Sequence, residues 1–319
     1  MKELDLSQIH PVLKTTTGYA ISTGGKRLRP LIITLCAELT GGDYRETKNT
    51  FLALELIHNA TLVHDDIIDE DLYRRGVPSM HMGHGVKKAV LTGDALLSMG
   101  LMYAARTGNP RIVHWLSETS LKMVQGIAIQ SQRKRQLMSI EEYLNMNYLK
   151  SGSLFEAAAA LGGEVGTDDS RVVAKLGEFG KFFGNAYQIR DDIMDAFTLN
   201  GCDNSPNNDL VNGDISLLLI YALDSENIRS GDRQKLLDLY SGKRQDLDPS
   251  EIRRIYEETG ALQKTIHKMR EYTQKACAAL ESFEDCRAKD GLVELLDQYN
   301  SGLSTLQTTV NPIRTRWGA

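Results

Sequence analysis

Apolar residues recur at spacings of three and four along seven stretches of the chain, and this periodicity predicts α-helices. The stretches are residues 51–69, 87–106, 111–136, 139–161, 170–197, 214–224 and 261–282. None of them contains a proline, so each predicted helix can run without a break. Ser139 is followed three residues later by Glu142, which has the form of a capping box at the start of the fourth helix.

The segments between these helices are polar or rich in glycine, and they predict loops. The predicted loops are residues 40–45, 72–86, 107–110 and 198–208. The sequence has no alternation of strand and helix patterns and no repeat of fixed period. It also has no proline- or serine-rich linker that would divide the chain. We therefore expect residues 1–319 to form a single all-α domain.

The 319 residues carry a net charge of −5, which disfavours a nucleic-acid binder because such proteins present basic surfaces. An anionic substrate would therefore need local cations or a metal ion. The four cysteines are widely separated and form no CxxC pair, so they favour a reduced, cytoplasmic setting over a zinc or redox motif. The first residues lack a signal-peptide core, and no apolar run reaches membrane-spanning length, so stable membrane insertion is not expected.

Two acidic clusters with the same D-D-x-x-D spacing are the main chemical signal. The first is Asp65, Asp66 and Asp69, and the second is Asp191, Asp192 and Asp195. Residues four apart lie on one face of a helix, about 5.4 Å apart, so the outer carboxylates of each cluster can share Mg²⁺. Mg²⁺ combines a few carboxylates with phosphate oxygens and water. One cluster alone could be a solvated helix face, but two within apolar helices cost solvation free energy unless cations neutralise them.

Basic residues accompany the first cluster on both sides. The segment GGKRLRP lies upstream at residues 24–30, and Arg74 and Arg75 follow the aspartates. Arginine forks match phosphate oxygens, and lysine adds a point charge. Together with the aspartates, these residues predict two diphosphate sites. One would be bridged by Mg²⁺, and the other would be held directly by basic side chains.

From about residue 22 to about residue 223 the chain resembles the trans-isoprenyl diphosphate synthases. The matching segments are GGKRLRP, LELIHNATLVHDDIIDEDLYRRG, LTGD, YLKSGSLFEAA and YQIRDDIMD, in the family's order. The resemblance implies a bundle of long helices around a deep central cavity. It also implies a prenyltransferase that condenses isopentenyl diphosphate with an allylic diphosphate (dimethylallyl, geranyl or farnesyl) through Mg²⁺-assisted ionisation, giving an all-trans product. The family further implies a homodimer.

The resemblance assigns roles to individual residues. Those implied in catalysis are Asp65, Asp66, Asp69, Lys150 and Asp191. Those implied to bind metal, with three Mg²⁺ ions per active site, are Asp65, Asp69, Asp191 and Asp195. Those implied to contact the allylic diphosphate are Arg74, Lys150 and Gln188, with Ser151 standing where the family usually has threonine. Those implied to form the isopentenyl diphosphate pocket are Lys26, Arg29, His58 and Arg75. His58 lies seven residues before Asp65, two turns along the same helical face.

The chain departs from the family after the second acidic cluster. Family members usually have two lysines there, the second followed two residues later by threonine. In this chain Asp214 takes the place of the second lysine and Ser216 that of the threonine. No basic residue occurs between Arg190 and Arg229. The allylic diphosphate is therefore expected to lose two cationic partners.

Side chains before the first acidic cluster are expected to line the pocket for the growing hydrocarbon tail. Thr61 lies one turn below Asp65, Ala60 is its neighbour, and Ile57 lies two turns below. Farnesyl synthases of the family often carry aromatic rings at this level, which Ala60 and Thr61 leave open. The floor is predicted on the next helix, at Met99, Met102 and Tyr103. Since each turn adds about 5.4 Å, close to one isoprene unit, the predicted product has about twenty to twenty-five carbons.

Other functions fit parts of the sequence. A farnesyl diphosphate synthase or a class I terpene cyclase uses the same ionisation, although the second acidic cluster and GGKRLRP favour elongation over cyclisation. A metal-dependent phosphohydrolase would use the His64–Asp65 pair but leaves the second cluster unexplained. A weakly active or non-catalytic subunit of a heteromeric synthase is compatible with the missing lysines.

Overall fold

A computed structural model describes residues 4, 6, 7, 9–22, 24–197, 207–244, 246 and 248–301. Cys202 and most of the predicted loop 198–208 lie outside these residues. Helices dominate the described part, as predicted for an all-α protein. They are α1 (Pro11–Ser22), α2 (Leu28–Leu39), α3 (Lys48–Ile68), α4 (Met80–His84), α5 (Val86–Ala105), α6 (Pro110–Arg133), α7 (Ile140–Asn147), α8 (Ser153–Gly166), α9 (Ser170–Phe197), α10 (Asn208–Asn212), α11 (Leu217–Leu223), α12 (Ser230–Tyr240), α13 (Pro249–Glu258), α14 (Ala261–Leu280) and α15 (Arg287–Ser301).

One predicted helix is divided in the structure. The stretch 139–161 forms α7, then a five-residue π-helical turn at Tyr148–Gly152, and then α8. The capping box at its start is confirmed, because Glu142 N–H donates to Ser139 Oγ and Ser139 N–H donates to the Glu142 carboxylate. A π turn adds a residue to one turn of the helix while leaving the apolar spacing nearly intact, so periodicity alone did not reveal it.

The segment predicted as loop 72–86 contains short regular elements. Strand β1 (Tyr73–Arg74) pairs antiparallel with β2 (Val77–Pro78), and α4 follows. A 3₁₀ turn at Tyr44–Thr47 connects α2 to α3. The loop prediction for 72–86 was therefore incomplete, since elements this short give no periodic signal.

Two apolar cores hold the helices together. The first joins α2, α3, α5, α6, α8 and the beginning of α9, and includes Ile33, Leu54 and Phe155. The second joins α7, the end of α9 and helices α11 to α14, and includes Tyr143 and Ile193. Burying each such side chain stabilises the fold by about 1.5–3 kcal/mol. The 28-residue helix α9 contributes to both cores, and its acidic cluster lies in the part that packs in the second.

No helix in the described ranges is both long and apolar enough to cross a membrane. Cys36, Cys277 and Cys286 are free thiols, and Cys36 is fully buried.

Candidate active site

The first acidic cluster lies at the C-terminal end of α3. Asp65 and Asp66 are buried in the last turn, and Asp69 caps the helix with its N–H donating to the Asp65 carbonyl at 2.8 Å. The side chains of Asp65 and Asp69 are only 10% and 18% exposed. Asp65 Oδ1 is buried and has no hydrogen-bond partner among the residues that the structure describes. A buried carboxylate oxygen without a partner raises the free energy of the fold, and a cation bound there would offset this.

Lys150 faces this cluster from the π-helical turn. Its Nζ lies 3.2 Å from Asp65 Oδ2 and 3.8 Å from Asp69 Oδ2, and it donates to Gln130 Oε1 at 2.6 Å. The turn approaches α6 closely at Gly126, where a Cβ atom would lie 2.3 Å from the backbone nitrogen of Lys150. π turns in helical segments are frequent at functional sites. The division of the predicted helix therefore places the lysine that the sequence singled out against the aspartates.

The three aspartates of the second acidic cluster differ in their hydrogen-bond partners. Asp192 is buried and accepts hydrogen bonds from the Tyr143 hydroxyl and from Gln188 Nε2. The Asp195 carboxylate accepts from the backbone N–H groups of Asn208 and Asp209, at 3.2 and 3.3 Å. Asp191 makes no hydrogen bond with any described residue. Of the three, Asp191 is therefore the carboxylate that is free to take a new partner.

Burial raises the pKa of the carboxyl groups around this site. The pKa of Asp69 rises to about 6, first through burial and then through the neighbouring Asp65. Burial likewise raises the pKa of Asp191 and of Asp195 to about 6, and that of Asp192 to about 7. A divalent cation beside these groups would lower their pKa values again.

These residues fit a magnesium site that is completed by substrate. No three His, Cys, Asp or Glu side chains in the described ranges converge as a preformed metal cage. Mg²⁺ does not require one, because it commonly binds one or two carboxylates and takes its other ligands from phosphates and water. The orphaned Asp65 Oδ1 and the unpaired Asp191 are oxygens of the type that Mg²⁺ prefers.

A separate basic cavity of about 400 Å³ lies at the start of α2. It is lined by residues 24–29 together with Glu55, His58, Asn59, Arg75 and Tyr187. Arg29 Nη1 lies 3.2 Å from His58 Nε2. Burial, and then the charge of Arg29, lowers the pKa of His58 well below its usual value. Because a guanidinium only donates hydrogen bonds, His58 Nε2 is the acceptor in this contact. The structure thus brings together the four residues predicted for isopentenyl diphosphate.

The residues predicted to contact the allylic diphosphate have other partners. Arg74 Nε donates to Asp66 Oδ1 at 2.7 Å, and Arg74 Nη2 lies 3.1 Å from Asp71 Oδ2. Gln188 donates to Asp192. Ser151 is half-buried beside Lys150 in the π-helical turn. These contacts use Arg74 Nε and Nη2 and one N–H of Gln188, so Arg74 Nη1 and the second Gln188 N–H could still donate to a diphosphate.

An apolar groove of about 610 Å³ lies beside the first acidic cluster, between α3, α5 and α6. Its lining includes Thr61 and Ile68 of α3, Val90 of α5, and Val124 and Ile127 of α6. His64 also lines the groove, and its Nε2 lies 3.3 Å from the Val90 carbonyl oxygen. His64 therefore faces α5 rather than the carboxylates, and the His64–Asp65 pair expected of a phosphohydrolase is not formed.

Of the residues predicted for the tail pocket, Thr61 lines this groove. Ile57 and Ala60 are 0% and 2% exposed and belong to the core. Met99, Met102 and Tyr103 line a different cavity of about 240 Å³. The reason is the close packing of α3 on α5, where a Cβ at Gly100 would lie 2.7 Å from Ile57 Cγ1. Ile57, Ala60, Met99 and Met102 therefore do not line this groove, and their assignment to the tail pocket stays a prediction.

The sequence did not reveal which side chains contact the predicted site residues. Gln130 contacts Lys150, and Tyr143 contacts Asp192. Asp209 lies near Asp195, and burial raises its pKa well above the usual value. These partners come from separate helices, and no spacing in the sequence connects them. Asp214 was marked only by its departure from the family pattern.

Comparison with known proteins places this fold among characterised ones. The polyprenyl synthetase model matches residues 10–259. A geranylfarnesyl diphosphate synthase from Aeropyrum pernix is 34% identical over 88% of this chain and 91% of its own length. A geranylgeranyl diphosphate synthase from Methanosarcina mazei is 30% identical over 88% of this chain and 86% of its own. A polyprenyl synthase from Caulobacter crescentus, solved with calcium and isoprenyl diphosphate, superposes with a TM-score of 0.83 at 28% identity, covering 92% and 90% of the two chains.

An all-helical fold with an acidic centre, a basic cavity and an apolar groove suits an enzyme that transfers a prenyl group from one isoprenoid diphosphate to another. The chain belongs to the polyprenyl synthetase family and is a trans-prenyltransferase. It condenses isopentenyl diphosphate with an allylic diphosphate, and its family is magnesium-dependent. The predicted fold class and the predicted condensation of the two diphosphates are therefore confirmed.

Proposed function

We propose that this prenyltransferase makes an all-trans diphosphate of twenty to twenty-five carbons in the site described above. The observation that supports the proposal is the arrangement of three neighbouring parts. The acidic clusters and Lys150 would hold the allylic diphosphate, the basic cavity would hold isopentenyl diphosphate, and the apolar groove would take the tail. The groove's non-aromatic Thr61, and the names of the two similar synthases, support a product longer than fifteen carbons.

In this proposal the allylic carbon–oxygen bond breaks, and the diphosphate leaves with the electron pair. The isopentenyl double bond then attacks the allylic carbon, and a proton is lost to the departing diphosphate, so no protein base is needed. Lys150 would stabilise the charge that develops on the leaving group, because a fixed cation needs no reorganisation during the reaction. Mg²⁺, proposed as three ions held through Asp65, Asp69, Asp191 and Asp195, would supply further neutralisation. The apolar groove would place nonpolar side chains beside the hydrocarbon tail.

The assembly and location are part of the same proposal. Exposed apolar side chains on α5 and α6, among them Leu91, Leu121 and Val124, support a homodimer formed through these helices. Light scattering coupled to size-exclusion chromatography tests this, and a monomer at micromolar concentration would contradict it. The free thiols support a cytoplasmic location. We also keep the expectation that residues 1–319 form one domain.

Product analysis tests the proposed function directly. The purified chain is incubated with isopentenyl diphosphate, Mg²⁺ and dimethylallyl, geranyl or farnesyl diphosphate, and the dephosphorylated products are separated by chromatography. Products of twenty to twenty-five carbons are expected, with none in reactions that lack either substrate. Accumulation at fifteen carbons would instead make it a farnesyl synthase. No product with any primer would favour the subunit of a heteromeric synthase.

Replacing Lys26 with alanine is expected to raise the KM for isopentenyl diphosphate by roughly tenfold or more, with a smaller effect on the allylic KM. Lys26 lines the basic cavity, and hydrogen bonds to charged groups contribute about 1.5–3 kcal/mol. Steady-state kinetics with each substrate varied in turn measure this difference. Exposed Lys14, changed to alanine, is the matched control. An unchanged isopentenyl KM would mean that the GGKRLRP segment is structural.

Replacing Thr61 with phenylalanine is expected to shift the products to fifteen carbons or fewer, because the ring would enter the groove one turn below Asp65. Met102→Ala is the matched control and should leave the products unchanged, since Met102 lines the other cavity. Ala60→Phe should destabilise the fold by about 1–3 kcal/mol through overpacking rather than tune chain length. If Thr61→Phe leaves the product distribution unchanged, the groove does not hold the tail.

A further inference from the structure

Gln130 of α6 connects the catalytic lysine to the aspartate that replaces the family's lysine. Lys150 Nζ donates to Gln130 Oε1 at 2.6 Å, and Gln130 Nε2 donates to Asp214 Oδ1 at 2.7 Å. Lys150 also lies 3.2 Å from Asp65 Oδ2 and 3.8 Å from Asp69 Oδ2. Lys150 is therefore hydrogen-bonded to Gln130 and ion-paired with the two aspartates.

The chemistry of the two ends fixes the direction of the Gln130 amide. A lysine ammonium only donates hydrogen bonds, and an ionised carboxylate only accepts them. The oxygen of the amide must therefore face Lys150 and its NH₂ group must face Asp214, as observed. A lysine at position 214 would offer a donor to the NH₂ group. The amide could then satisfy only one of the two lysines.

Asp214 is itself held in a fixed position. Its N–H donates to the Asp209 carbonyl at 2.8 Å. The preceding carbonyl, that of Gly213, accepts from the N–H of Arg135 at 2.8 Å, and Arg135 Nη1 donates to the Tyr240 carbonyl at 2.8 Å. Gly213 has a φ of 78°, and a Cβ there would lie 2.4 Å from Arg135 Cγ. The Asp214 carboxylate is thus presented to α6 by a well-anchored turn.

We propose that Asp214 is a positioning residue which, through the oriented amide of Gln130, fixes the ammonium of Lys150 over the first acidic cluster. The inference rests on the proposed role of Lys150 toward the allylic diphosphate. It gives a physical reason for an aspartate at this position, because Gln130 and Asp214 form a matched pair that a lysine would break. In this chain Asp214 would orient the ammonium of Lys150 and would supply no cation of its own.

A double-substitution cycle tests the pairing. Asp214→Lys and Gln130→Glu should each lower kcat/KM for the allylic diphosphate about tenfold. In Asp214→Lys the ammonium at position 214 would face the NH₂ group of Gln130, and both groups are donors. In Gln130→Glu the carboxylate at position 130 would face the carboxylate of Asp214, and both groups are acceptors. Gln130→Glu with Asp214→Lys should recover to within about threefold of the wild type, because a carboxylate at position 130 can accept from both lysines. Asp214→Asn keeps an acceptor and should lose little. The KM for isopentenyl diphosphate should not change in any of them, since its cavity lies elsewhere.

Exposed Asp224, changed to lysine, is the control for the change of charge and should behave as the wild type. If Asp214→Lys alone is as active as the wild type or more active, the added lysine simply binds substrate and the inference is wrong. It is equally wrong if the losses of the two single variants multiply in the double variant, since independent sites combine in that way.

A second measurement separates this inference from the proposed function. Calorimetric titration with inorganic diphosphate and Mg²⁺ reports on the same site without requiring elongation. The same recovery in the double variant is expected in diphosphate affinity. If the wild type made no prenyl product but the recovery persisted, the proposed function would fail and the inference would stand. If the wild type elongated normally but the affinity losses multiplied, only the inference would fail.

Discussion

Replacing Asp65 with alanine is expected to lower kcat by about 10²- to 10³-fold, the size of effect seen when a preorganised group that stabilises transition-state charge is removed. The structure places the Asp65 carboxylate 3.2 Å from Lys150 Nζ and leaves its other oxygen unpaired. The substitution therefore removes a proposed metal ligand and also frees the lysine. Since the affected interactions strengthen as charge builds on the leaving diphosphate, the loss should fall on kcat rather than on KM alone.

Asp191→Ala is expected to lose activity to a similar degree, because Asp191 is the carboxylate of the second cluster that has no hydrogen-bond partner among the described residues. Asp224→Ala is the matched control, since Asp224 is exposed and outside the site. Steady-state kinetics give kcat, and the thermal unfolding midpoint shows whether each variant is folded. A folded Asp65→Ala or Asp191→Ala variant with near-normal kcat would remove that residue from the catalytic set.

Gly126→Ala is expected to impair both stability and catalysis, although glycine is usually the weaker helix former of the two. A Cβ at position 126 would lie 2.3 Å from the Lys150 nitrogen and 2.7 Å from its Cα, so α6 and the π-helical turn would be forced apart. Overpacking of this kind costs about 1–3 kcal/mol. Because Gln130 lies one turn further along α6, the displacement should also misplace Lys150 and lower kcat.

Gly231→Ala is the matched control, because a Cβ at that helical position meets no atom within 4 Å. Replacing an exposed helical glycine should be neutral, or stabilising by up to about 1 kcal/mol. Thermal unfolding and kinetics are compared for the two variants. Equal unfolding midpoints and equal kcat values would show that the approach of α6 to the Lys150 turn is not tight enough to matter.

The periodic apolar pattern was sufficient to predict the helices of 20 residues or more, because each of them buries a continuous face, but it did not mark α1, α2, α12, α13 or α15. The stretch 170–197 was predicted with the bounds that α9 has, and the prediction for α3 was within three residues at either end. Short elements such as β1, β2 and α4 carry too few residues to show a period, and the π turn at 148–152 leaves the period almost unchanged. The predictions were therefore incomplete or wrong at those elements.

Part of the candidate site could likewise be predicted from the sequence, and part of it depends on how the helices pack. Local spacing was enough to place Asp65 and Asp69 on one face of a helix, and the resemblance singled out Lys150 and the basic segment. The depth of the tail pocket could not be obtained in this way, because it depends on how closely α3 packs on α5 at Gly100. The sequence offered Met99 and Met102 as a floor, and in the structure they line a separate cavity, so their role in the tail pocket stays a prediction.

By itself the sequence determined the all-α class, the two acidic clusters, the basic segment and the family resemblance, since each depends on residues near one another along the chain. Only the tertiary structure decided which of those residues have free oxygens and which are already paired, such as Asp66 with Arg74. It also decided that Asp214 contacts Lys150 through Gln130, across 84 residues of chain between Gln130 and Asp214. Such contacts arise from the packing of separate helices, and no local spacing specifies that packing.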